Sequence, residues 1–140
     1  MSNVIDMQSM RYINMFRKIS HVSTTNCFFY NNIIIFAVPK KLLSKAIGKN
    51  GTNMKKIAEI FKKRVRVIPM PKDISGIEEF TKKIVEPILF SKLELKNNTV
   101  TITAGNRQNR AALIGRNRVR EKELAEILKK AFGISKLKIV

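Results

Sequence analysis

The chain repeats itself. At a displacement of 67, Gly48 falls on Gly115, Lys49 on Arg116 and Asn50 on Asn117, with Ile47 on Ile114 just before them. Downstream, Ile57, Ala58, Ile60 and Phe61 meet Leu124, Ala125, Ile127 and Leu128; upstream, Ile33, Ile35 and Ala37 meet Val100, Ile102 and Ala104, with no gap expected in that span. The basic alternating stretch Arg64-Val65-Arg66-Val67-Ile68 has its counterpart in Lys136-Leu137-Lys138-Ile139-Val140, displaced by 72, so the second copy carries five extra residues, about Ala131 to Ser135. A repeat of this length restricts the chain to two copies of one small fold, and every local motif has to be read twice.

Both copies give the same order of elements. Tyr12, Ile13, Phe16 and Ile19 recur at helical spacing in the first; Ile77, Phe80, Ile84 and Val85 do so in the second, where Ser75 and Glu78 have capping-box spacing and Pro87 marks a stop. A hairpin follows. Thr24 to Tyr30 and Ile33 to Val38 flank Asn31-Asn32, while Phe90 to Lys96 and Thr99 to Ala104 flank Asn97-Asn98. Asparagine tolerates positive φ, so each Asn-Asn pair is expected to form a tight turn. Next comes a helix interrupted by a loop, with Met54, Ile57, Ala58 and Phe61 on one face after the first loop and Leu124, Ile127, Leu128 and Ala131 after the second. A short strand ends each copy. Pro69 and Pro71, in "PMPKD", mark the joint, so the expected domains are residues 1–70 and 71–140 and the expected fold class is α+β. A hydrophobic fraction of 44% in 140 residues suffices for packed cores.

A formal net charge of +18 implies strong self-repulsion that a polyanion would relieve, which makes nucleic acid the first candidate partner and an anionic membrane surface the second. The longest purely apolar run, Ile33 to Val38, is too short to span a bilayer. The opening MSNVIDMQSM has no basic segment ahead of an apolar one and carries Asp6 early; no signal peptide is expected, and the expected location is the cytoplasm. Cys27 and His21 are the only cysteine and histidine, so one chain can assemble neither a disulfide framework nor a Cys/His zinc site. Cys27 beside Phe28 reads as a small buried hydrophobe, and His21 sits near a helix end. Only Asp6 and Asp73 are aspartates, no carboxylate pair recurs in the two copies, and no Ser or Cys has a histidine placed as its base. No catalysis, cofactor, metal or small-molecule substrate is expected.

The chemistry therefore rests on the loop "SKAIGKNGTNMKKI". A loop that enters a helix presents unpaired backbone N–H groups and the positive end of the helix dipole, a natural phosphate site. Gly48 is expected to take the left-handed conformation that ends the preceding helix, and Gly51 to remove a Cβ that would hold a phosphate off the backbone. Lys49 and Asn50 point outward between them; Lys45, Lys55 and Lys56 extend the positive field, and Glu59 is the only acidic residue between Lys40 and Arg66. A Gly-Lys-Asn-Gly turn alone says little, but a second Ile-Gly-basic-Asn in the same context does. No G-x-G-x-x-G follows a strand and no glycine-rich loop ends in Gly-Lys-Ser or Gly-Lys-Thr, which argues against nucleotide hydrolysis.

Ile47-Gly48-Lys49-Asn50-Gly51 resembles the I-G-x-x-G signature of KH domains, and the order helix, strand, strand, helix, helix, strand resembles their prokaryotic, type II, arrangement. Two such copies in so short a chain are similar to the archaeal NusA-like transcription factors over nearly all residues. The resemblance implies two tandem type II KH domains, each a three-stranded sheet packed with helices, whose GxxG loop clamps the backbone of about four unpaired nucleotides. Carried onto this chain, it implies that Gly48, Lys49, Asn50 and Gly51 hold phosphates, with Lys45, Lys55, Arg64 and Arg66 in the RNA-binding surface. Ile47, Ile57 and the strand Arg64 to Val67 would line the groove where bases lie, although helical spacing alone does not tell groove from core for the two isoleucines. Ile114, Gly115, Arg116, Asn117 and Arg118 form the counterpart. There Arg118 replaces the second glycine: its side chain either blocks a phosphate or contacts it through the guanidinium, and weaker or differently aimed binding is expected, with Arg107, Arg110 and Arg120 as a basic surface. The partners implied are single-stranded RNA, as nascent transcript, and RNA polymerase, in elongation or termination. Ribosomal RNA, for a ribosome-associated KH protein, and an acidic protein surface met by charge alone are the alternatives.

Overall fold

Both halves fold around the apolar positions that the repeat aligns. The computed structural model describes residues 7–140; residues 1–6, with Asp6 and the start of the expected first domain, lie outside the described residues. The chain divides into two compact units between Lys72 and Asp73. The first contains α1 (Met7–Ser20), β1 (Cys27–Tyr30), β2 (Ile33–Pro39), α2 (Leu43–Ile47), α3 (Thr52–Phe61) and β3 (Arg64–Met70). The second contains α4 (Ile77–Val85), β4 (Lys92–Lys96), β5 (Thr99–Thr103), α5 (Arg107–Ile114), α6 (Val119–Phe132) and β6 (Lys136–Ile139). The fold is α+β, with six helices and two three-stranded sheets among the described residues, consistent with two small domains. No helix among the described residues is long and apolar enough to cross a membrane.

Each sheet has a hairpin and one parallel strand, in the order β1-β2-β3 and β4-β5-β6. The hairpins close through Asn31-Asn32 and Asn97-Asn98, all four at φ between 51° and 63°, the turn whose twist suits a two-residue hairpin. The parallel strand demands a crossover, and the helix-loop-helix segment supplies it. Pairing of Ile34 with Val65 corresponds to pairing of Val100 with Leu137, so the hairpins are related by a displacement of 66, whereas the loops are related by 67. The ungapped match of Ile33, Ile35 and Ala37 to Val100, Ile102 and Ala104 is therefore one residue out of step. In a strand, one residue is a change of face. Ile34, Phe36 and Val38 are the side chains that join the helices in the core, as the counterparts of Val100, Ile102 and Ala104.

The first core gathers Tyr12 and Phe16 of α1, Ile34, Phe36 and Val38 of β2, Ala46 of α2 and Ile57 of α3, with Phe16 stacked on Phe36 at 4.3 Å and Tyr12 edge-on to Phe61 at 4.5 Å. Cys27 lies in this core. In the second unit Val100, Ile102, Leu113, Leu124, Ile127 and Leu128 are buried. The five extra residues lengthen α6 by a turn, which sets Phe132 edge-on to Phe80 at 5.2 Å. They then latch onto the hairpin: Asn98 Nδ2 donates to the Gly133 carbonyl at 2.9 Å, and Ser135 N donates to the Asn98 carbonyl at 3.1 Å. The expected capping box at Ser75 and Glu78 does not form. Asp73 caps a 3-10 turn instead, accepting from Ser75 N at 3.0 Å, and α4 begins after Gly76 with no side-chain cap.

Candidate nucleic-acid interface

The two loops have one backbone conformation. Gly48 stands at φ 82°, ψ 165° and Gly115 at φ 77°, ψ 168°; Asn50 at 58°, 27° and Asn117 at 55°, 26°; Gly51 at 72°, 18° and Arg118 at 63°, 21°. The first position differs from the left-handed helical conformation expected of it. It lies in a region essentially reserved for glycine, and the left-handed residues are the third and fourth of the motif. Glycine is needed there for space as well: a Cβ on Gly48 would sit 2.8 Å from Asn53 Cγ, and one on Gly115 2.7 Å from Arg120 Cγ. A Cβ on Gly51 would meet nothing within 4 Å. That openness is why an arginine is accommodated at the equivalent Arg118.

Hydrogen bonds fix each turn. Gly48 N donates to the Ser44 carbonyl at 3.0 Å and Gly51 N to the Gly48 carbonyl at 3.1 Å; Gly115 N donates to the Ala111 carbonyl at 2.9 Å and Arg118 N to that of Gly115 at 3.1 Å. In the first loop Thr52 Oγ1 donates to the Lys49 carbonyl, and Asn53 Nδ2 reaches the Lys45 and Ala46 carbonyls at 3.2 and 3.3 Å, tying the end of α2 to the start of α3. In the second loop that position is Arg120, whose Nε lies 3.1 Å from Glu123 Oε1. Arg118 Nε donates to Glu121 Oε1 at 2.7 Å, and this bond, together with the nearby charge, holds the guanidinium more firmly in its cationic form. The arginine side chain stays 71% exposed.

Lys45, Lys49, Asn50 and Lys55 are exposed around the first loop, with Ile47, Gly48 and Gly51 half-buried; Arg116, Asn117 and Arg118 are exposed around the second, with Ile114 and Gly115 half-buried. Ile57 is wholly buried in the core and lines no open groove. Arg64 follows α3, so it lies at the end of that helix remote from the loop, about 15 Å away along ten residues. Val65 and Val67 pack against the core, and the two-residue period of a strand therefore sends Arg64 and Arg66 to the opposite face of the sheet. The structure thus gathers Ile47 to Gly51 with Lys45 and Lys55, and leaves the two strand arginines outside that group.

The surroundings of the two loops differ in charge. Up to Lys72 the chain has fourteen Lys and Arg against two acidic residues; from Asp73 it has fourteen against eight. Among the described residues no carboxylate pairs with Lys45, Lys49 or Lys55, whereas Glu121 and Glu123 bind the arginines of the second loop. A groove of about 200 Å³ beside the second loop's helix escaped the sequence reading: it runs between α6 and β6, lined by Lys122, Ala125, Glu126, Lys129, Ser135 and Lys136. Its helix side had a signal, because Lys55, Ala58, Glu59 and Lys62 fall on Lys122, Ala125, Glu126 and Lys129 at the same displacement of 67.

No protein-family model matches the chain. It is similar to the probable transcription termination protein NusA of Methanocaldococcus jannaschii, 28% identical over 131 residues that cover 91% of this chain and 70% of that protein. It is likewise similar to the probable transcription termination protein NusA of Methanococcus vannielii, 25% identical over 91% of this chain and 74% of that one. Among solved structures, the crystal structure of APE1850 superposes with a TM-score of 0.65 at 25% identity, covering 97% of this chain and 100% of that chain. These likenesses support a NusA-related family for the chain.

Proposed function

We propose that the chain is a non-enzymatic, single-stranded RNA-binding protein of two tandem type II KH domains, residues 1–70 and 71–140, acting on nascent transcript with RNA polymerase in termination or elongation. The observation that carries this reading is the shared conformation of the two loops. Of the six backbone angles compared, the widest difference is between φ 72° at Gly51 and φ 63° at Arg118, although the two turns share only Ile, Gly and Asn. In each a helix starts directly behind the turn. Such a turn presents backbone N–H groups to an anion at the positive end of α3 or α6. The open space at Gly51 lets a phosphate approach, and Lys45, Lys49 and Lys55, which pair with no carboxylate among the described residues, supply positive charge. The groove between α6 and β6 offers apolar Ala125 and Leu137 beside polar groups, a surface on which a base can lie. The names of the two relatives, each a probable transcription termination protein, agree with this reading.

If about six phosphates are engaged, counterion release gives a log-log salt slope near −4, so affinity must be compared at one fixed salt concentration. The test is binding of short single-stranded RNA pools to the wild type, Gly51→Asp and Arg118→Asp at moderate salt. Gly51 is the better site because a Cβ there meets no atom within 4 Å and Arg118 holds a side chain on the same backbone in the second copy, whereas a Cβ on Gly48 would collide with Asn53. Gly51→Asp is expected to lose sequence-selective binding by about tenfold or more, as a charge reversed beside a bound phosphate should. Equal and slight losses in both variants, across all sequences, would mean that binding is electrostatic and the clamp reading is wrong.

A further inference from the structure

The second sheet has a face that the loops do not use. Val100 and Ile102 of β5 are buried, so the pleat turns the three threonines of β5 to the other side. The register places Lys92, Glu94 and Lys96 of β4 and Lys136 and Lys138 of β6 on that side with them, and all five of these charged residues are exposed. Four lysines thus face one carboxylate, and Glu94 already lies 3.4 Å from Lys92. The equivalent face of the first sheet holds Phe28, Tyr30, Ile33, Ile35 and Ala37, all buried, with Arg64 and Arg66 of β3 as the counterparts of Lys136 and Lys138.

We infer that the outer face of β4-β5-β6 is a docking surface for an acidic protein segment in extended conformation. Charge complementarity demands an anionic partner, and two features favour carboxylates over RNA. Within β4, β5 and β6 the face holds Thr, Lys and Glu, with the exposed Val140 just past β6, and none of these strand residues offers an aromatic ring on which an unpaired base could stack. Lys136 and Lys138 are two residues apart on one strand, about 7 Å, the spacing of alternate carboxylates in an extended acidic peptide. Lys96 and Lys138 lie across the sheet from the buried side of β5, while Lys136, at the start of β6, also borders the groove beside α6, so the docking surface centres on Lys96 and Lys138. One chain can then hold RNA on its helical side and an acidic protein on its sheet side.

The inference goes beyond the RNA reading and is tested separately from it, with a fluorescent poly-glutamate peptide of about fifteen residues and a single-stranded RNA pool, both at moderate salt. The whole chain is used, as wild type, Lys96→Glu/Lys138→Glu, Gly51→Asp, and the charge-matched Arg17→Glu/Lys18→Glu on exposed positions of α1. The sheet-face variant is expected to weaken peptide binding about tenfold, the α1 variant by less than about twofold, and peptide and RNA should bind the wild type together. Equal weakening by both double variants overturns the inference and leaves the lysines as guards against edge-strand pairing. A matching loss of RNA binding in the sheet-face variant, or displacement of RNA by the peptide, also overturns it, since the face would then belong to the RNA path. Unchanged RNA binding in Gly51→Asp bears on the clamp alone.

Discussion

The outer faces of the two sheets are made by equivalent strands in the same register, yet Ile33, Ile35 and Ala37 line one and Thr99, Thr101 and Thr103 line the other. The first face is buried along all but the last residue of β2, while the second alternates, with only Val100 and Ile102 buried in β5. The loops show the reverse relation. Their backbones coincide, but the first is ringed by lysines that pair with no carboxylate among the described residues and the second by arginines bound to Glu121 and Glu123. The physical reason differs in the two cases. A three-stranded sheet under helices needs one apolar face for its core, so the other is free to diverge in chemistry. The first turn residue, at φ 82° and ψ 165° in one copy and φ 77° and ψ 168° in the other, must be glycine whatever surrounds it, so both copies retain it.

Three experiments test how far the two copies are equivalent, and the core should respond most. Ile57 and Leu124 occupy equivalent, fully buried positions on α3 and α6, and truncating either to alanine is expected to destabilise its own unit by about 2 to 5 kcal/mol. Chemical denaturation followed by probes in each unit measures this, and a cost confined to one of the two substitutions would show that the cores are not equivalent. Next come the loop glycines. Gly48→Ala and Gly115→Ala should each cost about 1 to 3 kcal/mol, from the glycine-only backbone and from contacts of 2.8 and 2.7 Å with Asn53 and Arg120. The two costs should be similar, because Arg120 Cβ at 2.9 Å and its backbone N at 3.0 Å are fixed by α6 and cannot swing away. The least effect on stability is expected at Arg118, which sits at φ 63°. Arg118→Gly relieves the strain of a left-handed residue but leaves the Glu121 carboxylate, 13% exposed, without its partner, so the two effects oppose and the denaturation midpoint should change little. A variant of unchanged stability yet weaker for RNA would mark the arginine as a phosphate contact; one that binds RNA more tightly would mark it as an obstruction.

Much of the architecture was legible because it depends on local pattern. Helical spacing at Tyr12 and Phe16 and at Leu124 and Leu128 marks the buried stripes, and the Asn-Asn pairs mark the hairpins, since two consecutive positive φ values favour asparagine. The loop conformation was partly legible. Glycine at 48 signals an unusual backbone, but only the folded chain distinguishes ψ 165° from the left-handed helical value. The register was not legible. Apolar residues lie on both sides of β2, so sliding the copies by 66 or by 67 matches hydrophobe to hydrophobe equally well, and side-chain direction is settled only by which strand edge pairs with which. The resemblance placed Ile57 and the strand arginines at the expected groove, and local pattern could not test it: helical period says that Ile57 faces inward without saying whether a ligand or a core lies there.

Periodicity, turn chemistry and charge are properties of neighbouring residues, and they suffice to establish two copies of one α+β unit, each with a basic glycine turn between helices. Three things waited for the folded chain: which way each strand faces, the separation of Arg64 and Arg66 from the loop, and the groove that opens between α6 and β6. Each depends on strand pairings between segments far apart in the sequence, such as Ile33 with Arg64 and Thr99 with Lys136, and no local preference reaches that far.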